Sequence, residues 1–279
     1  MSTIEHMSLD DLRIVLGWAA AEGWNPGLDD AEAFYAADPA GFLIARVNES
    51  PVAAISVVKQ DERHGFLGLY ICTPDYRGQG IGWSLWQTGM QYLEGMTVGL
   101  DGVVEQQDNY RQSGFELAYR NIRYAGVPLA LTGKKAECQP ADQRHLEAIL
   151  QLDQSVHGLS REAFLTNWVS GTEHRRTLVL HQGDQLIGYG TIRACQQGHK
   201  VGPLIAPTIE DARTLLSSLS ASCNASEIML DVPEPNNQAV RLAQAAGLQA
   251  VFETARMYRG TPPDYHLQPL FGVTTFELG

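Results

Sequence analysis

Three glycines within six residues form the part of this sequence that most directly predicts a ligand. The run Arg77-Gly78-Gln79-Gly80-Ile81-Gly82 follows a β-rich stretch that ends at Cys72, and it opens a helical pattern at Trp83. A glycine-rich turn between a strand and a helix presents several backbone N–H groups in one direction, at the positive end of the helix dipole. The turn therefore predicts a site for the phosphate groups of a cofactor. A surface turn with no ligand is the alternative.

The spacing of these glycines excludes two common phosphate loops. A Walker A loop requires Lys and then Ser or Thr after its last glycine, whereas Gly82 is followed by Trp83. The dinucleotide pattern Gly-x-Gly-x-x-Gly, started at Gly78, also meets Trp83 where its third glycine is required. The surrounding sequence must therefore decide what the turn binds.

Length and composition set the broad class. The chain has 279 residues, which favours two domains, and its 44% hydrophobic and 19% charged residues are typical of a globular protein. It has no apolar run of membrane-spanning length and no signal-like start, and its four cysteines lack the spacing of a zinc site. We therefore expect a cytoplasmic protein without a metal or a membrane contact. The net charge of −12 argues against a nucleic-acid partner, and the oligomeric state stays open.

The order of elements predicts a mixed α/β fold (α+β, with a mixed sheet). We expect helices over residues 8–22 and 29–37, and then strands over residues 41–47, 51–59 and 66–72. A helix over residues 82–93, a strand over residues 97–101, a helix through Tyr110 and a strand over residues 115–124 follow. Helices over residues 143–156 and 161–169 and strands over residues 177–181 and 185–194 restart the same order.

An internal duplication explains this repetition. Ile71-Cys72-Thr73-Pro74 resembles Leu204-Ile205-Ala206-Pro207, and Arg123 corresponds to Arg256, both at an offset of 133 positions. Gly114-Phe115 corresponds to Gly247-Leu248 at the same offset. We therefore predict two tandem domains of one design, over residues 1–126 and 142–279, with a linker over residues 127–141 that contains Gly, Pro and Lys.

The first 125 residues resemble the GNAT superfamily of acyl-CoA-dependent N-acetyltransferases, in a bacterial tandem branch with a divergent second domain. The resemblance rests on Tyr70-Ile71-Cys72-Thr73-Pro74, on the glycine run, and on Tyr110-Arg111-Gln112-Ser113-Gly114-Phe115, which matches the family's Tyr-x-x-x-Gly-Phe. It implies transfer of the acetyl group of acetyl-CoA to a primary amine of a small molecule or amino-acid derivative, by direct attack in a ternary complex. A non-catalytic acyl-CoA sensor and a protein or peptide N-acetyltransferase stay open.

The resemblance gives each motif a role. The loop amides would bind the pyrophosphate of coenzyme A, the main chain of Tyr70 and Cys72 would hold the pantetheine amide and the acetyl carbonyl, and Tyr110 would protonate the departing thiolate. Trp24, on the loop between the first two helices, would either contact the amine or pack the helices together. The implied cofactor-binding residues are Tyr70, Ile71, Cys72, Arg77, Gly78, Gln79, Gly80, Ile81, Gly82 and Arg111. The candidate substrate residues are Trp24, Asn25, Tyr35 and Asp101.

Three departures from the family pattern matter. Gly68 stands where the family often carries a glutamate base, so the base is unassigned among Asp101 and its acidic neighbours, and Asp101 has a structural reading because Asp231 is its counterpart. Val103 replaces an expected Asn. In the second half, residues 210–215 contain no glycine and Ala243 replaces Tyr110. We therefore expect the second half to bind no coenzyme A.

Overall fold

The computed structural model describes residues 2–129 and 138–279; residues 130–137 of the predicted linker lie outside the described residues. The first half follows the predicted order, with one additional strand at its start. Its elements are β1 (Ser2–His6), α1 (Leu9–Ala21), α2 (Asp30–Ala37), β2 (Phe42–Val47), β3 (Ser50–Lys59), β4 (His64–Cys72), α3 (Ile81–Tyr92), β5 (Thr97–Val103), α4 (Gln107–Gln112) and β6 (Glu116–Gly126).

The second half repeats this order and adds a short final strand. Its elements are β7 (Cys138–Pro140), α5 (Leu146–His157), α6 (Glu162–Trp168), β8 (Arg175–Gln182), β9 (Gln185–Ala194), β10 (His199–Ile205), α7 (Ile209–Ser222), β11 (Ile228–Pro233), α8 (Asn237–Ala245), β12 (Gln249–Arg259) and β13 (Leu270–Gly272). The mixed α/β class is confirmed. Among the described helices, none has the length and apolarity needed to cross a bilayer. The cytoplasmic location stays a prediction.

Local sequence explains where α1 begins. The Ser8 hydroxyl accepts a hydrogen bond from the Asp11 N–H (3.1 Å), and the Asp11 carboxylate accepts one from the Ser8 N–H (3.0 Å). This capping box satisfies two main-chain donors that a helix start leaves free. The face that carries Leu12, Val15 and Ala19 is buried, so α1 packs on the sheet with its polar side outward.

One mixed sheet runs through both halves, and the two halves exchange the strands β6 and β12. The strand order is β1-β2-β3-β4-β5-β12-β6-β11-β10-β9-β8-β7, with β13 paired to β10. β12 of the second half therefore lies between β5 and β6, and β6 of the first half pairs with β12 and β11. The halves cannot separate without breaking backbone ladders. The predicted boundaries at residues 126 and 142 stay a prediction.

The register of β6 against β12 agrees with the duplication. Tyr119 opposes Arg256 and Arg123 opposes Phe252, while Asn121 opposes Thr254. Position 119 is separated from 252 by 133 residues, as are 123 from 256 and 121 from 254. The strand pair therefore maps onto itself by a local two-fold axis at the pair Asn121–Thr254.

Two buried ion pairs follow this symmetry. Asp101 accepts from Arg256 Nε (3.0 Å) and Nη2 (2.7 Å), and Asp231 accepts from Arg123 Nε (2.6 Å) and Nη2 (2.8 Å). Each half therefore supplies the arginine for the other half's aspartate. Burial works against the charge of Asp231, but Arg123 outweighs it and lowers the pKa of that carboxyl. These bidentate pairs tie the exchanged strands to their neighbours on both sides.

Helices from the two halves also share one hydrophobic core. Phe34 of α2 stacks on Trp168 of α6, with ring centroids 6.0 Å apart and an interplanar angle of 11°. Both rings are fully buried, and Phe164 packs beside them. Burial of these rings stabilises the contact between the two halves more than a polar interface between domains would.

We expect Arg256→Met to lower the free energy of unfolding by about 3–5 kcal/mol, because it leaves Asp101 charged and buried without its partner. The exposed pair Arg120–Glu234 is the matched control, and Glu234→Gln should cost about 0–1 kcal/mol. Urea unfolding followed by circular dichroism measures both. Equal shifts for the two variants would contradict a structural role of the buried pair.

Candidate functional site

The glycine turn has the backbone geometry of an anion site. Gly78 (φ +74°) and Gly80 (φ +81°) both adopt the left-handed conformation, which glycine reaches without steric cost. Gly80 caps α3, and no side chain caps this helix end. Within residues 2–129 and 138–279, the N–H groups of Gly78, Gly80 and Gly82 have no hydrogen-bond acceptor. The turn therefore offers free donors at the positive end of α3.

Arg77 holds this turn in place. Its Nε donates to the main-chain oxygen of Cys72 (2.8 Å), and its Nη2 donates to the Glu22 carboxylate (2.5 Å). The turn is therefore fastened to the end of β4 and to the end of α1. The Arg77 guanidinium is already paired, so the main chain of the turn supplies the free donors.

The sheet opens beside the turn. β4 and β5 are paired in parallel from His64–Thr97 to Leu67–Leu100, and no pair follows Leu67. Leu69 has φ +46°, an unusual value for a leucine, at the point where the β3–β4 register shifts. The main chain after Leu67 is therefore unpaired on the side that β5 leaves, and it borders a cleft.

This cleft has a volume of about 600 Å³ and is built from both halves. The first half supplies the glycine turn, the open part of β4 and Tyr110, and the second half supplies side chains of β12 and of the segment after β13. Its lining residues are Glu22, Trp24, Leu67, Gly68, Leu69, Tyr70, Ile71, Cys72, Arg77, Gly78, Gly80, Gly82, Trp83, Leu100, Asp101, Val103, Gln106, Tyr110, Arg123, Phe252, Thr254, Phe276 and Glu277.

Tyr110 lies in an aromatic cluster at the cleft. Its ring stacks on Trp86 (centroids 5.8 Å apart), and Tyr70 packs against the same Trp86 at 5.5 Å. Burial, with Tyr70 nearby, raises the pKa of Tyr110 to about 12. The phenol therefore stays protonated at neutral pH. In the described part of the chain, its hydroxyl has no hydrogen-bond partner, so it is available as a donor.

Basic side chains of both halves hold the Trp24 loop beside the cleft. The main-chain oxygen of Trp24 accepts from Lys200 Nζ (2.7 Å) and Arg123 Nη1 (3.2 Å). Asn25 pairs with the main chain of Gln197 through both ends of its amide. Trp24 lines the cleft, whereas the Asn25 side chain is used in the contact between the halves.

The structure brings most of the predicted site residues into this one cleft. Tyr70, Ile71, Cys72, Tyr110, Trp24 and Asp101 line it, as do Arg77, Gly78, Gly80 and Gly82. Five others lie elsewhere. The Tyr35 hydroxyl donates to Met7, Arg111 pairs with the exposed Asp108, and Gln79 donates to the main chain of Asp75. Ile81 is buried in the core beneath the turn, and Asn25 faces Gln197.

Among the lining residues that the sequence did not predict are Arg123, Phe252, Phe276 and Glu277. The last three belong to the second half, and β12 reaches the cleft only through the strand exchange. The equivalence of Arg123 and Arg256 was visible in the sequence, but it did not indicate which carboxylates these arginines bind.

The corresponding opening in the second half is filled. β10 and β11 pair only from His199–Ile228 to Val201–Leu230, and they then diverge as β4 and β5 do. Here β13 pairs with β10, and the Val273 N–H donates to the Asp231 main-chain oxygen (2.8 Å). The following helix is capped by a side chain, since the Thr208 hydroxyl accepts from the Asp211 N–H (3.2 Å). This half has neither an open strand nor a glycine turn at that position.

Comparisons with known proteins identify the class. The pattern of the Acetyltransferase (GNAT) family matches residues 9–115, and that of an Acetyltransferase (GNAT) domain matches residues 149–272. The chain is also 31% identical to the holothin acyltransferase of Pseudoalteromonas sp. (strain SANK 73390), over 99% of this chain and 94% of that protein. The chain therefore belongs to the GNAT acyltransferases, and it is a tandem protein with one GNAT domain in each half.

Solved structures support the same fold. A putative acetyltransferase from Pyrococcus horikoshii superposes with a TM-score of 0.85 at 19% identity, covering 100% of this chain and 96% of that one. A tandem GNAT protein from the clavulanic acid biosynthesis pathway superposes with a TM-score of 0.64 at 13% identity, covering 94% of this chain and 99% of that one. At these identities the likeness concerns the fold.

Position 68 has no room for a side chain, because a Cβ on Gly68 would collide with the main-chain oxygen of Glu277. We expect Gly68→Ala to destabilise the protein by about 1–3 kcal/mol through overpacking. The exposed helix residue Gly17 has no atom near its Cβ position, and Gly17→Ala should stabilise by about 0.5–1 kcal/mol. Thermal melts compare the two. A neutral Gly68→Ala variant would show that the Glu277 segment does not pack on β4.

Proposed function

We propose that this protein is an acetyl-CoA-dependent N-acetyltransferase that acetylates a primary amine of a small molecule or amino-acid derivative by direct attack. The observation that carries the proposal is the meeting of three features in one cleft: the free amides of the glycine turn, the unpaired main chain of β4, and a protonated Tyr110. Each supplies a different part of acyl transfer from a thioester.

The residues present fit coenzyme A. Gly78 and Gly80 are left-handed, and nothing lies within 4 Å of the place where a Cβ would stand, so a pyrophosphate has room to approach their main chain. The main chain near Tyr70 and Cys72 would hold the pantetheine amide and the acyl carbonyl. Val103 lines the same cleft at the position where the family pattern has Asn. When bound, the thioester supplies an activated acyl group next to Tyr110.

Direct attack is favoured over a covalent acyl-enzyme. Cys72 is the one thiol that lines the cleft within residues 2–129 and 138–279, and burial raises the pKa of this thiol. A raised pKa disfavours the thiolate, which is the nucleophilic form. The chain then has to hold the amine beside the thioester and to donate a proton from Tyr110 to the departing sulfur.

The relatives bear on the acceptor. The name of the Pseudoalteromonas relative gives holothin as what that enzyme acylates. On this basis we propose a small-molecule acceptor for the present chain as well. Trp24, Phe252 and Phe276 line the cleft, so its walls suit the apolar body of such a molecule. Acetylation of a protein or peptide amine, in place of a small molecule, would contradict this part of the proposal.

We expect calorimetry to find one molecule of acetyl-CoA or coenzyme A bound per chain. Gly80→Glu should abolish binding, since it forces a side chain and a negative charge into the turn where φ is +81°. Position 213 lies 133 residues further on, and Arg213→Glu is the matched control that should leave binding intact. Two bound molecules per chain would contradict the interpretation that β13 fills the opening between β10 and β11.

We expect Tyr110→Phe to reduce turnover by about 10²–10⁴-fold with unchanged affinity for acetyl-CoA, because it removes the proton donor alone. Thiol release over a library of amines and short peptides measures this. Tyr92→Phe is the control, since the Tyr92 hydroxyl binds Asp38 away from the cleft. If acetyl-CoA binds and no acceptor raises thiol release, the chain is an acyl-CoA-binding sensor instead of an enzyme.

A further inference from the structure

Three acidic residues line the cleft, and the carboxylates of two of them are already engaged. Glu22 binds the Arg77 guanidinium, and Asp101 binds Arg256 through both oxygens and also accepts from Asn121 Nδ2 (2.8 Å). The third, Glu277, has no hydrogen bond or ion pair from its carboxylate to any residue in ranges 2–129 and 138–279. It is therefore the carboxylate of this cleft that is free to accept a proton.

The position of Glu277 is fixed by its main chain. The Thr275 hydroxyl accepts from the N–H groups of Glu277 (3.2 Å) and Leu278 (2.9 Å). The main chain of Glu277 packs on Gly68, the residue of β4 whose missing side chain leaves room for it. An acidic residue that β4 itself lacks is thus placed beside β4 by a segment more than 200 residues away in sequence.

The groups that face Glu277 are cationic. Its charge acts on Arg123 of β6, Arg193 of β9 and Lys200 of β10. Each of these cations has its own partner: Arg123 binds Asp231, Arg193 binds Asp30 (3.2 Å), and Lys200 binds the Trp24 main chain. They offset the cost of burying a carboxylate that is only 4% exposed, without occupying its oxygens.

Aromatic rings surround the same place. Phe276 lies next to Glu277 in the chain, its ring lies 6.3 Å from that of Phe252, and the Arg123 guanidinium lies 4.9 Å from the Phe276 ring. Trp24 lines the cleft from the first half. A protonated amine on an apolar body fits these walls, with its ammonium toward the unpaired carboxylate.

We propose that Glu277, delivered by the second half, is the general base of the transfer and the group that receives the ammonium of the acceptor; this rests on the proposed function. Glu277 takes one proton from the ammonium, directly or through one water, and later releases it to solvent. The freed nitrogen bonds to the acyl carbon, and the carbon–sulfur bond breaks. Tyr110 gives its proton to the sulfur and regains one from the nitrogen, so one proton is released for each amide formed.

The test compares two amines in wild type and in Glu277→Gln. Phenethylamine is protonated at neutral pH and needs a base, whereas aniline carries no extra proton and does not. We expect Glu277→Gln to lower turnover of phenethylamine by about 100-fold or more, to change that of aniline less than threefold, and to bind acetyl-CoA normally. Glu253→Gln, on β12 outside the cleft, should match wild type for both amines.

Two further readouts separate the base from a structural role. Phenethylamine should raise the melting temperature of wild type and not that of Glu277→Gln, and added formate should restore part of the activity of Glu277→Ala. Equal losses for both amines, or full activity of Glu277→Gln, would overturn the assignment while leaving the enzyme established. A wild type that acetylates neither these amines nor any in the library would overturn the proposed function, and the base with it.

Discussion

The exchange of β6 and β12 is the constraint on which the rest of this structure depends. Because β6 and β12 are each inserted beside strands of the other half, the ion pairs Asp101–Arg256 and Arg123–Asp231 form only when both halves are in place. Buried bidentate pairs of this kind define register more than they add stability, since a shifted strand would leave two charges without partners. The backbone ladder and the charges thus specify the same arrangement.

The symmetry of the duplication stops at the two places where the sheet opens. Both halves open their sheet after a short parallel pair, at Leu67 in β4 and at Val201 in β10. The segment that begins with β13 fills the second opening and then runs on to Gly68 at the first. One stretch of chain therefore closes one opening and completes the wall of the other, which makes the two halves structurally unequal.

Local features of the fold and site could be predicted from the sequence. The cap at Ser8 and the glycine turn at Gly78 and Gly80 depend on neighbours within a few residues. β1 was not predicted, because its mostly exposed residues have no clear alternation and it is held by pairing with β2. The direction of side chains on the short helix α4 could not be predicted either. Arg111 was expected at the cofactor site, but it pairs with the exposed Asp108.

Contacts across the halves could not be predicted, because they depend on where a distant strand inserts. Asp101 illustrates this: its sequence position suggested either a base or a structural group, and its partner on β12 supports the structural reading. Phe252 and Glu277 carry no motif, and nothing in their local sequence indicates a cleft. Their role depends on tertiary geometry alone.

The strand exchange also sets the order of events in folding. β5 gains its second neighbour only when β12 has been synthesised, about 150 residues later, and the far wall of the cleft waits for the segment after β13. Until then, the nascent first half exposes the edge of β5 and the unpaired aspartate that lies on it, which is the kind of surface that chaperones recognise and that aggregates. The complete cleft therefore cannot assemble on a partly made chain, and it forms only after the second repeat has folded.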